Sequence, residues 1–193
     1  NWSHVAELIR RFDPDNSTEP EIELFAHNQR TFERIQTLWG ESNRVAVVQP
    51  TGTGKTYLIA KAMSRFAGSR ALVLAPSHPI LEQLRRKLRW SDDDVDFMTY
   101  AKVMLLRPEE VERLAPQLIV LDELHRCGAT EWGAGVHRIL EAVPDAHVLG
   151  TTATPTRFLD GCRDMADELF DGRTAETLSL AQAIERRILP MPK

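Results

Sequence analysis

The sequence predicts an α/β domain built as a doubly wound, mostly parallel sheet flanked by helices, and three observations carry that prediction. From Val45 onward, short apolar or β-branched runs alternate with stretches of helical length. The runs are continuously apolar rather than alternating with polar residues, the pattern of strands buried on both faces. At 193 residues with 42% hydrophobic content, the chain is large enough to bury one core of ordinary size.

The elements follow in order. Ser3 to Phe12 places Val5, Leu8, Ile9 and Phe12 at helical spacing behind a possible Ser3 cap, and Asp13 to Glu21 is a polar, acidic, Pro-containing linker. A second amphipathic stretch covers Gln29 to Leu38. Strands are predicted at Val45–Gln49, Ala71–Ala75, Asp96–Thr99, Leu118–Asp122 and His147–Gly150. Helices are predicted over Thr56–Phe66, Pro79–Leu88, Ala101–Leu106 with Pro108–Leu114, and Glu131–Val143. The expected domain plan is residues 1–24 as helix and linker, 25–177 as the α/β domain, and 178–193 as the start of a Pro-rich connector. Both ends read as cut points in a longer chain.

Composition narrows the function classes. With 24 basic and 28 acidic residues the net charge is −4, so no global basic footprint for nucleic acid exists and any such contact must be local or shared. No run approaches the roughly 20 apolar residues of a membrane span, and a cytoplasmic protein with no membrane partner is expected. Cys127 and Cys162 have no metal or disulfide spacing, and the six histidines form no H-x-x-x-H pair. Asp92-Asp93-Asp94 reads as a polar loop without chemistry. Arg85, Arg86, Lys87 and Arg89 read as a solvated helix end, and the scattered Trp2, Trp39, Trp90 and Trp132 as packing residues rather than a base-stacking platform.

Two segments carry chemistry. Gln49-Pro50-Thr51-Gly52-Thr53-Gly54-Lys55-Thr56 follows one predicted strand and opens a helix, the context a phosphate-binding loop requires. Gly52 and Gly54 let backbone N–H groups turn around phosphate oxygens, and the helix dipole adds positive potential. Lys55 can reach the β- and γ-phosphates, and Thr56 would offer its hydroxyl to Mg²⁺. The usual pattern starts with Gly where this chain has Gln49. Farther on, Leu118-Ile119-Val120-Leu121 ends in Asp122-Glu123-Leu124-His125, which puts two carboxylates at the carboxyl edge of a buried strand, where open α/β sheets bind ligands. Asp122 can hold Mg²⁺, and Glu123 can orient and deprotonate a water that attacks the γ-phosphate.

This ordered set resembles superfamily 2 helicases of the DExH type, the group that includes restriction-enzyme motor subunits and bacterial helicases. Pro50–Thr56 is similar to motif I, Asp122–His125 to motif II, and Thr152-Ala153-Thr154-Pro155 to motif III. Gln29 stands where such proteins read adenine, and Ala75-Pro76-Ser77 through Gln83 resembles motif Ia. Thr99-Tyr100 is similar to the strand-contacting segment after it. The departure at Gln49 is common in that superfamily. The resemblance implies a RecA-like ATP-binding lobe with ATP and Mg²⁺ as cofactors. It implies that His125, Thr152 and Thr154 couple hydrolysis to the nucleic-acid site, and that Pro76, Ser77 and Thr99 face the phosphate backbone of one strand; the expected partner is nucleic acid, DNA in preference to RNA. It further implies a second RecA-like lobe bearing arginine fingers. No Q-x-x-G-R-x-x-R element follows Pro155, so this chain by itself is expected to turn over very slowly. Leu178–Leu189 resembles the passage into that second lobe. The alternative from another class is a nucleotide-gated binding module without sustained unwinding; the D-E-x-H and T-A-T-P segments argue against a P-loop kinase.

Overall fold

A computed structural model describes residues 22–88, 94–128, 130–154, 156–157 and 163–191. The predicted Ser3–Phe12 helix, the acidic linker, Trp2, Trp90, Arg89, Asp92, Asp93, Pro155 and Cys162 lie outside those residues.

The chain runs α1 (Ala26–Trp39), β1 (Arg44–Val48), α2 (Lys55–Ser64), β2 (Ala71–Ala75), α3 (His78–Leu88), β3 (Val95–Thr99), α4 (Tyr100–Val103), α5 (Pro108–Leu114) and β4 (Leu118–Asp122). It continues through a 3-10 turn at Leu124–Gly128, α6 (Thr130–Ala142), β5 (His147–Thr152), a short ribbon of β6 (Thr156–Arg157) and β7 (Arg163–Asp164), α7 (Met165–Phe170), β8 (Thr174–Thr177) and α8 (Leu180–Glu185). Six strands form one sheet in the order β3-β2-β4-β5-β1-β8, and every pairing within it is parallel.

Strand alternation builds two cores from the same runs. Val45, Val47, Val73, Val120 and Leu149 face one side, against Phe32 and Ile35 of α1 and Leu58, Ile59 and Met63 of α2. Ala46, Leu72, Leu74, Ile119, Leu121 and Val148 face the other, against Val103, Val111, Ile139, Leu140 and Phe170. Both faces being buried explains why the strands read as unbroken apolar runs.

The five predicted strands are all present, and two differences matter for the site. α1 starts at Ala26 rather than Gln29, which brings His27 and Asn28 into its first turn. β5 runs on to Thr152 instead of ending at Gly150. β8, absent from the sequence prediction, adds the sixth strand beside β1. Beyond it the chain returns to the sheet edge: the Leu178 amide donates to the Val48 carbonyl at 2.8 Å, and Leu189 sits against Gly52.

The packing reading of the tryptophans holds where it can be seen. Trp39 meets Phe66 and His147 edge-on, and Trp132 stacks on Tyr100. Exposed Arg85 lies over the Phe97 ring at 5.1 Å. Among the described residues no group of three or more His, Cys, Asp and Glu is arranged to hold a metal, and no helix is long and apolar enough to cross a membrane.

Candidate nucleotide site

β1, β4 and β5 are neighbours, so the loops leaving their carboxyl ends converge on one edge of the sheet. There a cleft of about 590 Å³ is lined by Thr51, Gly52, Gly54, Lys55 and Thr56 from the glycine loop and by Asp122 and Glu123 from β4, with Phe25 at its margin. The two predicted segments therefore share one cavity.

The loop is shaped by glycine where it must be. Gly52 and Gly54 have φ of 90° and 91°, a region that L side chains avoid. A Cβ at Gly54 would stand 2.9 Å from Asn28 Nδ2 and 3.1 Å from the Phe25 ring. α2 begins directly after Gly54, so its first N–H groups point into the cleft. Lys55 donates from Nζ to the carbonyls of Gln49 at 2.8 Å and Pro50 at 3.1 Å, which fixes the ammonium over the loop and leaves one of its three N–H donors for a ligand. Burial lowers its pKa, while Glu123 and Asp122 oppose that shift.

Gln49 explains its own departure from the usual glycine. Its side chain is fully buried; Nε2 donates to Asn28 Oδ1 at 3.1 Å and Thr31 Oγ1 at 3.3 Å, and Oε1 lies 3.3 Å from the Thr53 hydroxyl. Asn28 closes the circuit by donating to the Thr53 carbonyl at 2.8 Å, which His27 Nε2 also meets at 2.9 Å. The glycine loop is thus fastened to the first turn of α1 by neutral amides and hydroxyls. Asn28 and Thr31 are functional neighbours that the sequence reading missed, and the loosely matching His27-Asn28 was the available signal. Gln29 points the other way: it is exposed and donates to Glu33 Oε1 at 3.1 Å, outside the residues lining the cleft.

The acidic turn is held differently. Asp122 ends β4 almost fully buried, and Thr151 Oγ1 donates to its Oδ1 at 2.7 Å. Burial raises the Asp122 pKa; the Thr151 hydrogen bond and Lys55 work against that rise, and Glu123 adds to it. Glu123 takes φ of 55°, a left-handed conformation rare for a residue with a side chain. Tyr100 donates from its buried hydroxyl to the Asp122 carbonyl at 2.9 Å, and Arg126 N–H donates to the Glu123 carbonyl at 2.9 Å.

From this turn a polar chain runs to β5. Thr152 Oγ1 donates to the Thr154 carbonyl at 2.9 Å, so its oxygen is free to accept from His125 Nδ1, also at 2.9 Å. That assignment puts the proton on Nδ1, which lies 3.4 Å from Glu123 Oε2. Glu123, His125, Thr152 and Thr154 are thereby joined. Thr151, one residue before the predicted pair, is the hydroxyl that reaches the carboxylate.

The remaining predicted residues are placed apart from the cleft. Pro76 and Ser77 follow β2, partly buried, with the Ser77 carbonyl accepting from Leu81 N–H at 3.1 Å. Thr99 is 7% exposed and caps α4, its hydroxyl accepting from Lys102 N–H at 3.2 Å. Tyr100, beside it, is fully buried, so its ring faces the core and not a strand.

The residues present fit a magnesium nucleotide: two left-handed glycines, a helix start, a lysine and a buried aspartate converge on one cleft. Comparison with known proteins agrees with that chemistry. ATP-dependent DNA helicase mph1 of Neurospora crassa is 25% identical over a 183-residue alignment that covers 77% of this chain and 16% of that protein. The mph1 helicase of Sclerotinia sclerotiorum is 24% identical over 188 residues, covering 77% and 15%. The chain therefore spans about a sixth of the length of these relatives. Among solved structures, a nuclease-deletion mutant of the Type ISP restriction-modification enzyme LlaGI in complex with a DNA substrate mimic matches with a TM-score of 0.62 at 19% identity, over 86% of this chain and 18% of that one. The Pyrococcus furiosus Hef helicase domain matches with a TM-score of 0.56 at 20% identity, over 74% and 35%. These likenesses establish the RecA-like fold. Residues 21–93 and 89–157 match a single family over more than half of the sequence, and the chain belongs to that family, the type III restriction enzyme res subunit.

Proposed function

We propose that this chain is the ATP-binding lobe of an ATP-dependent helicase or translocase that moves on nucleic acid, DNA in preference to RNA. The observation that carries the reading is the meeting of Lys55 with Asp122 and Glu123 in one cleft, continued by the His125–Thr152 bond toward the next strand end. The relatives 24–25% identical to this chain are ATP-dependent DNA helicases, and a neighbour in fold was solved with a DNA substrate mimic.

In this mechanism the loop amides and Lys55 would cradle the phosphates, and Thr56 and Asp122 would hold Mg²⁺, which would supply charge neutralisation for the transferred phosphoryl group. Glu123 orients the attacking water and accepts its proton. Gln29 reads the base, exchanging Glu33 for it, with Phe25 forming the adjoining wall. His125 ties the position of Glu123 to Thr152 and Thr154, and Pro76, Ser77 and Thr99 lie toward the strand. A second RecA-like lobe supplies arginine fingers, which are worth about 10³–10⁵ in rate in such enzymes. By itself this chain is therefore nearly inactive.

The test is ATP hydrolysis by the protein carrying this lobe, with and without single-stranded and duplex DNA and RNA, beside Lys55→Ala and Glu123→Gln. Stimulation by one polymer, and its loss by at least about 100-fold in both variants, is expected. Hydrolysis indifferent to every polymer would instead favour a nucleotide-gated binding module.

A further inference from the structure

Between Thr99, assigned above to the nucleic-acid side, and the acidic turn lies a buried side chain that neither role uses. Tyr100 is the first residue of α4 and is 0% exposed. β2 pairs with β4 only as far as Leu74 opposite Leu121, so at Asp122 the ladder on that side has ended. The Tyr100 hydroxyl takes the place of the missing donor, meeting the Asp122 carbonyl at 2.9 Å. The peptide it grips leads directly into Glu123, whose φ of 55° persists only if its surroundings hold it there.

We propose that Tyr100 is a positioning residue for hydrolysis: its buried hydroxyl fixes the Asp122 carbonyl and so ties the Thr99 segment to the turn that carries Glu123. The inference rests on the assignment of Asp122 and Glu123 given above. Three features make the link stiff. Thr99 caps α4, of which Tyr100 is the first residue, so both belong to one short hydrogen-bonded element. Trp132 stacks on the ring at 5.9 Å and 23° between planes. The hydroxyl is fully buried, away from water that would compete for the Asp122 carbonyl. A shift of the Thr99 segment on binding a strand is passed to Asp122 and Glu123 through one hydrogen bond rather than around the sheet.

The experiment compares Tyr100→Phe, which removes only the hydroxyl, with Trp132→Phe, which disturbs packing of the same ring but keeps it. In the protein carrying this lobe, Tyr100→Phe is expected to lower polymer-stimulated kcat about tenfold while KM for ATP and the polymer concentration for half-stimulation stay within twofold. Trp132→Phe lowers Tm but leaves kcat within twofold below the transition. Amide hydrogen exchange supplies a readout independent of turnover: in Tyr100→Phe, exchange across Glu123–Cys127 rises at least about fivefold while β1 and β5 are unchanged. An unchanged kcat in a folded Tyr100→Phe, or unchanged exchange in that turn, overturns the proposal. If the parent protein hydrolyses no ATP, or Lys55→Ala retains its rate, the ATPase reading fails, and exchange alone decides whether the hydroxyl holds the turn.

Discussion

The glycine loop and the acidic turn lie across one cleft, yet opposite means hold them in place. The loop puts its left-handed backbone at Gly52 and Gly54, where no side chain suffers, and is fastened by a buried circuit of neutral groups through Asn28, Gln49 and Thr53. The turn puts its left-handed backbone at Glu123, a residue that cannot be exchanged for glycine without losing its carboxylate, and is held by Thr151, Tyr100 and Arg126 around a buried aspartate whose ionisation the site resists. The difference is instructive. A binding element that offers backbone amides can be built without strain, whereas an element that must present charged groups at a fixed point carries both strain and desolvation.

Substitutions that attack one side or the other sharpen this contrast. The largest effect is expected from Gly54→Ala. It forces a Cβ to 2.9 Å from Asn28 Nδ2 in a left-handed backbone, costing about 2 kcal/mol or more and abolishing measurable nucleotide binding by calorimetry. Asn28→Ala comes next. It strips an acceptor from Gln49 and a donor from the Thr53 carbonyl, with a loss of about 1–3 kcal/mol in urea unfolding and nucleotide affinity down about tenfold. If affinity survives that change, the loop is held by its glycines alone and the circuit through α1 is incidental.

On the other side of the cleft, Thr151→Val keeps the shape of β5 but removes the hydroxyl from Asp122. Steady-state hydrolysis is expected to fall about tenfold, with a smaller effect on Tm. The smallest and most diagnostic change is Asp122→Asn, followed in a chelator to exclude metal. Because burial raises the folded pKa of Asp122, its contribution to stability is fully present below the ordinary carboxyl value and is lost as pH rises through the raised one. The Asn variant, whose Oδ1 still accepts from Thr151, should therefore melt a few degrees above the parent at pH 7 and about level with it near pH 4. A variant less stable at pH 7 would mean that Lys55 and Thr151 outweigh desolvation.

Much of this architecture was legible from residue order, and the gaps have specific causes. The five runs from Val45 to Gly150 announced themselves because burial on both faces leaves no polar interruption. β8 did not, since its residues are Thr174-Ala175-Glu176-Thr177 and only Ala175 is buried; an edge strand with one inward residue has no periodic signal. Gly150 resembles a strand end in sequence but lies inside β5, paired with Leu121, and is glycine there because a Cβ would clash with the Phe170 ring and Leu124. That misplacement hid the register that sets Thr151 opposite Asp122. Asn28 was hidden in a similar way: starting α1 at Gln29 left out the turn in which Asn28 faces inward and Gln29 outward. The tyrosine at position 100 gave no hint of its hydroxyl's partner, because that partner is a carbonyl and carbonyls have no sequence signature.

The backbone at Glu123 also has an evolutionary consequence. Among the described residues, the other non-glycine positions with positive φ are Ala115 and Asp171, which close helices, and Arg187, which ends the turn after α8. A glutamate codon becomes a glycine codon by a single base change, and glycine at this position would relieve the left-handed strain. In a gene copy released from the need to hydrolyse nucleotide, that exchange is therefore favoured by stability as well as open to drift. A glutamate that endures there is a record of work still being done, and its replacement by glycine would be an early mark of a lobe retired from catalysis.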